Sequence, residues 1–387
     1  MKIIDPFDHY LNAYSNFKNR NLVGRYLNYS MLERQVRTLS ADYKVRLEGT
    51  SVQDLPIPSI TLGNGPIRIL AWSQMHGNET TTTKALFDLF NFFSSEKEMA
   101  GFAEIFTSFS IKVIPMLNPD GAEKYTRENG NNVDLNRDAD ALSQKESQVL
   151  RTVIENFKPD FCLNLHDQRT IFSAGKVPSA ATLSFLAPAM DEVRSINSSR
   201  TIAMQIIAAI NIRLQDVIPG HIGRFEDSFN INCTGDRFMA FGIPTILLEA
   251  GHFPGDYERE ETRKYMGAAI VAALHTIRKG IYKTFDVAAY EMIPENEKCF
   301  FDIILRNALN NGELVDIALQ YKETLSAGKI IFEPRVQLIN NDLDFFAHRN
   351  IDCEGQNVSN VTGKPLAEND VVNHILLNTA IITLNIE

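Results

Sequence analysis

From Val45 onward the chain alternates short apolar runs with stretches of helical spacing, and this alternation sets the first expectation about its architecture. VRLEG at 45–49 and SITLG at 59–63, with Gly-Asn-Gly at 63–65, read as a β-hairpin leading into the apolar run Ile67–Trp72. In the next stretch, TTTTKALFDLFNFFSS, apolar residues recur at Leu86, Leu89, Phe90 and Phe93, the spacing of one helix face. The order then repeats. A strand is expected at 110–117, then a helix at 143–157 with Ser143 and Glu146 placed as a capping box and Pro159 beyond its end. A buried strand at 161–165, a long helix at 188–214, a strand at 245–248 and a helix at 259–279 closed by Gly280 follow. Such alternation predicts an α/β fold, a mostly parallel mixed sheet flanked by helices.

The two ends read differently. Residues 1–44 form a helical, charged segment with amphipathic turns in YLNAYSNF and YSMLERQVRTL. Beyond about residue 285, FFDIILRNA, ELVDIALQY, KIIFEP, LDFFAHRNI and AIITLNIE are short apolar segments parted by Asn, Gly and Pro. The expected division is therefore a first domain at 1–285, its helical segment included, and a small β-rich domain at 286–387.

Composition narrows the function. With 387 residues, 44% hydrophobic and 22% charged, the chain has ordinary globular proportions. A net charge of −10 argues against a nucleic-acid partner, although a local basic pocket for a small anion stays open. The opening MKIIDPFDHYLNAYSNF has Asp5, Pro6 and no long apolar run, so it does not read as a signal peptide. No apolar stretch reaches the ~18–20 residues of a membrane helix. Cys162, Cys233, Cys299 and Cys353 are scattered without CxxC spacing. The expectation is a cytoplasmic protein with no membrane partner.

Chemistry enters where polar residues follow predicted strands. His76 and Glu79 follow 67–72, Asn118 and its NPDG loop follow 110–117, His166 follows FCLNL, and Glu249 follows TILL. In an open α/β sheet, ligands bind at the carboxyl ends of parallel strands, so these groups would share one crevice. His76 and Glu79 alone could be a solvated loop pair. With His166 they supply two imidazoles and a carboxylate, the set that holds a catalytic zinc and leaves a position for water. A carboxylate outside that set must take the water's proton, and Glu249 suits the role. RENGNNVDLNRD at 127–138 offers Arg127, Asn136 and Arg137, of which at least one is expected to read an acidic group on the substrate. Asp134 is expected in a structural hydrogen bond. His252 is either a contact near the substrate or a satisfied loop histidine, His221 a lid contact or structural, and Asp167 and Gln168 pocket-lining or structural.

In this order, HGNE (76–79), NPDG (118–121), RENGNNVDLNRD, NLH (164–166) and LLEAG (247–251) resemble the motifs of the M14-type zinc carboxypeptidases, over about residues 45–280. The resemblance implies a carboxypeptidase-like fold and one Zn2+ per chain on His76, Glu79 and His166. It further implies Arg127 at the oxyanion, Asn136 and Arg137 on the substrate's free carboxylate, and Glu249 as general base. Two features depart from the family's peptidases. Their lid tyrosine has no counterpart, since no tyrosine lies between Tyr125 and Tyr257, and Phe225 or Phe229 is left to fill the space. The short spacing from Arg137 to His166 also resembles the aspartoacylase and succinylglutamate desuccinylase branch, which cleaves N-acyl amino acids and carries a β-rich C-terminal domain. The substrate expected is thus a peptide or an N-acyl amino acid with a free carboxylate. A catalytically silent binding module that keeps the metal cleft is the alternative from another class.

Overall fold

The computed structural model describes residues 5–98 and 102–386. Strands of the first part are β1 (Lys44–Thr50), β2 (Pro56–Leu62), β3 (Ile67–Trp72), β4 (Phe109–Ile114), β5 (Phe161–Asp167), β6 (Phe172–Ala174), β7 (Leu183–Leu186), β8 (Ile222–Arg224) and β9 (Thr245–Ala250). All but β6 join an eight-stranded sheet in the order β1-β2-β4-β3-β5-β9-β7-β8. The central strands β4, β3, β5 and β9 are parallel, so their carboxyl ends open along one edge. The predicted hairpin is β1–β2, but β2 pairs with β4, which leaves β3 in the middle of the sheet. A central strand needs apolar residues on both faces. IRILAW meets that need: Ile69 and Ala71 face one core, and Leu70 and Trp72 the other.

Helices Thr81–Glu96, Ser198–Gln215 and Glu260–Lys279 cover the first face, and Lys145–Phe157 and Thr234–Ala240 the second. Two local expectations are corrected. The helix placed at 188–214 begins only at Ser198, where the Asn197 side chain accepts from Arg200 N at 2.9 Å and fixes the start. Ser143 and Glu146 form no capping box. Ser143 Oγ donates instead to Asp138 at 2.6 Å, and Glu146 accepts from Val52 N and Asn129 Nδ2 at 3.1 Å each.

In the C-terminal part, β10 (Asn296–Lys298) pairs with β6, while β11 (Phe300–Asn310), β12 (Glu313–Ser326), β13 (Lys329–Asn340) and β14 (Phe346–Asp352) form a sheet of their own. A three-stranded sheet of β15 (Val358–Asn360), β16 (His374–Leu377) and β17 (Ala380–Thr383) completes it. Ile303, Leu305, Ile317, Leu319 and Val336 build a separate core, whereas Tyr290 and Ile293, assigned from sequence to the second domain, pack into the larger core. Among the described residues no helix is long and apolar enough to cross a membrane.

The two parts meet at a histidine pair. The ring of His252, just after β9, lies 4.2 Å from that of His348 on β14, and His348 Nε2 donates to Thr170 O at 2.8 Å. Burial pushes His348 down from 6.5 to about 4. Between those values the unfolded chain takes up a proton that the native ring refuses, so stability falls as pH falls through the window. The loss is up to about 3 kcal/mol for this group, less in so far as the partly exposed ring is screened. The fall in Tm between pH 7 and pH 4.5 should therefore shrink in His348→Phe, which keeps the stack on Phe300; an unchanged fall would remove this ring as its source.

Candidate active site

His76 and Glu79 sit in the turn from β3 into helix Thr81–Glu96, beside the ends of β5 and β9. His166 and Glu249 are register partners on adjacent parallel strands, so their side chains leave the sheet on the same side. His76 Nδ1 is 2.7 Å from one oxygen of Glu79, and His166 Nδ1 is 2.9 Å from the other. The candidate ligand atoms of all three residues lie within 4.8 Å of one another and are buried. Two imidazole nitrogens turned on one carboxylate, with His166 Nε2 left without a partner, make a donor set suited to zinc.

A supporting layer fixes these side chains. His76 Nε2 is 3.0 Å from Asp134 Oδ1, and a carboxylate behind a ligating histidine sets its tautomer and raises its basicity. Asp134 thus makes the structural bond expected of it. Asp167 accepts from Thr81 N at 3.0 Å, which caps a helix whose own N-cap residue, Thr80, makes no side-chain capping bond. The NPDG loop works the same way. Asn118 accepts from Gly121 N at 2.8 Å and donates to Met75 O at 3.1 Å, so it braces the His76 loop from behind instead of facing the crevice as expected. Gly77 and Gly121 cross back to back: a Cβ on Gly77 would stand 2.0 Å from the Gly121 carbonyl carbon. Gly77→Ala should push the two motifs apart, destabilise by about 1–3 kcal/mol and weaken metal binding, read by Tm and zinc titration; wild-type values for both would show that the crossing tolerates a methyl.

Electrostatics follow the geometry. Burial opposes the charge of Glu79, but His76 and His166 outweigh it and hold the carboxyl well below its usual range. The Glu249 carboxyl goes the other way, raised by burial and then by the negative charges of Glu79 and Asp167, with one oxygen unpartnered. Arg127 lies over the triad, its guanidinium 3.3 Å from His76 Nδ1 and 3.5 Å from Glu79 and tied to Asp134 at 3.0 Å.

These groups open into a cavity of about 690 Å³. Asn136 and Arg137 line it near Cys233, the asparagine accepting from Thr234 N at 2.9 Å and the guanidinium donating to Cys233 Sγ at 3.1 Å. Asn118 aside, the residues given a metal, catalytic or substrate role from sequence all line this cavity: His76, Glu79, His166, Arg127, Asn136, Arg137 and Glu249. Asp167, Gln168 and Phe225 line it as well, whereas Phe229, His221 and His252 do not. Asn164 and Leu247 were missed, though each sits two residues before His166 or Glu249, where strand alternation puts it on the same face. Arg25, Arg259 and Tyr321–Lys322–Glu323 were also missed. They come from distant segments, and no local spacing announces them.

A family model described as zinc carboxypeptidase (Peptidase_M14) matches residues 31–205, which takes in the three candidate ligands but stops before Glu249. The γ-D-glutamyl-L-diamino acid endopeptidase 1 of Lysinibacillus sphaericus is 31% identical over 103 residues, 24% of this chain. That match spans only 26% of the relative's length. Among solved structures, a metallo-carboxypeptidase from Burkholderia cenocepacia aligns with a TM-score of 0.53 at 16% identity, over 66% of this chain and 70% of its own. One from Pseudomonas aeruginosa aligns with a TM-score of 0.50 at 13% identity, over 65% and 69%. At such identities the likeness is one of fold.

Proposed function

From a first domain of the M14 zinc carboxypeptidase superfamily, we propose a zinc-dependent hydrolase that cleaves an amide bond next to a free carboxylate. The observation that carries this reading is the meeting of His76 Nδ1, His166 Nδ1 and the Glu79 carboxylate, with the unpartnered oxygen of Glu249 beside them. Zinc held by that set supplies Lewis acidity and brings the pKa of a water down toward ~7.

The chain's own groups divide the remaining work. Glu249, whose raised pKa favours holding a proton, accepts one from the attacking water and passes it to the leaving amine. Arg127 donates to the oxygen on which charge develops. Arg137 and Asn136 orient the substrate by its free carboxylate, which a planar guanidinium can grip bidentately. A silent binding module would have no use for Glu249.

N-acyl amino acid deacylation is the second reading, favoured by one observation. Tyr321, Lys322 and Glu323 of β12 wall the cavity, which leaves less room for a long peptide than an open cleft would. The reading includes a cytoplasmic location, supported by four free cysteines. The test is metal analysis followed by hydrolysis of a panel of peptides and N-acyl amino acids. About one zinc per chain and release of a carboxylate-bearing amino acid are expected. A zinc-loaded protein that hydrolyses nothing in the panel would favour the silent module.

A further inference from the structure

Asn136 and Arg137 on one hand, and Arg25, Arg259 and β12 on the other, line the same cavity but are anchored on different faces of the sheet. Asn136 is fastened to the start of helix Thr234–Ala240, whose Phe238 packs on Trp72 at one face of the sheet. Arg259 immediately precedes helix Glu260–Lys279 on the other face, and the Arg25 carbonyl accepts from Thr80 Oγ1 at 2.7 Å where helix Thr81–Glu96 begins, also on that face. A substrate held at Arg137 with its scissile carbonyl at the triad must extend its acyl part toward Arg25, Arg259 and β12.

That far wall is cationic in a chain of net charge −10. Glu323 neutralises Arg25 through bonds of 3.0 and 3.1 Å and also accepts from Tyr125. Arg259, buried, spends two of its nitrogens on Ala250 O and Gln168 O at 2.5 and 2.7 Å, and its Nε–H, like that of Arg25, has no acceptor among the described residues. Above them, Arg169 and Lys322 are exposed on the cavity rim, and neither has a carboxylate partner among the described residues. Gln320 Nε2 donates to Thr170 Oγ1 at 2.7 Å, which fastens the Arg169 loop alongside β12. Asp167 and Glu323 are the charge partners of Arg259, which leaves Arg169 and Lys322, two exposed cations from two parts of the chain on the same cavity, to match an anion.

Resting on the hydrolase reading, we propose that the residue on the acyl side of the scissile bond is acidic, its side-chain carboxylate held by Lys322 and Arg169. The substrate is then a short peptide with an anionic group on each side of the cleaved amide, and the C-terminal part of the chain is a specificity element. Matched N-acetyl-glutamyl and N-acetyl-glutaminyl dipeptides, across a set of C-terminal residues, separate charge from size. Wild type should prefer the glutamyl member ~10-fold or more in kcat/KM, less at high salt because the cations are exposed. The double variant Lys322→Gln/Arg169→Gln, with zinc content checked, should lose most of that preference. Equal rates for the pair, or a preference untouched in the double variant, would overturn the proposal. Should nothing be hydrolysed, calorimetric binding of the two peptides to zinc-loaded Glu249→Gln still decides, with tighter glutamyl binding in favour and equal binding against.

Discussion

Glu249→Gln is expected to keep its zinc and to lose at least ~100-fold in turnover. The amide matches the carboxylate in size, so the cavity is preserved, but it cannot take a proton from water and return it to the departing amine. None of the candidate ligands bonds to Glu249, and its unpartnered oxygen makes no bond that the exchange would break. Removing a charge that burial and two nearby carboxylates disfavour should also leave the fold as stable or more so. Turnover is measured at saturating substrate with metal content determined on the same sample. Survival of turnover with zinc unchanged would mean that another group is the base.

The second large effect is loss of the metal itself. In His76→Ala or His166→Ala one of two imidazoles goes, leaving an incomplete set that holds zinc far more weakly. Each variant is expected to emerge from dialysis against a weak chelator with little zinc and no activity. Full occupancy in the double variant would sink the ligand assignment. Asp134→Asn is a milder companion. It keeps a partner for His76 Nε2 but removes the charge behind the ring, and outer-shell changes of this kind cost roughly 10–100-fold in metal affinity.

Much of this site was legible because its chemistry lies at strand ends. In a parallel sheet one strand end leads to the next, so His76, His166 and Glu249 meet although 90 and 83 residues part them in sequence. The sequence pattern starts the helix at 198–215 ten residues early because Leu-Ala-Pro-Ala-Met at 186–190 is apolar, and apolar content does not tell irregular chain from helix. Its place after a strand points Asn118 toward the crevice, but its side chain is used in turning the NPDG loop. β6, β7 and β8 are too short to show alternation. The far wall of the cleft was invisible for a different reason. Arg25 and Tyr321–Glu323 reach it only through the docking of two terminal segments, a tertiary event that leaves no local pattern.

The central claim, hydrolysis next to a free carboxylate read by Arg137 and Asn136, is tested most directly by one matched pair of substrates. The better substrate from the panel is prepared as the free acid and as its C-terminal amide, and kcat/KM is measured for both with the zinc-loaded protein. Arg137 is exposed in the free protein, so a neutral amide facing it forfeits a charge-assisted hydrogen bond worth roughly 1.5–3 kcal/mol. The free acid should therefore be cleaved and the amide scarcely at all, and Arg137→Met should lower the rate on the free acid by a similar factor while mattering little on the amide. Equal cleavage of acid and amide would contradict the claim and leave an endo-acting amidase as the better account of the same zinc site.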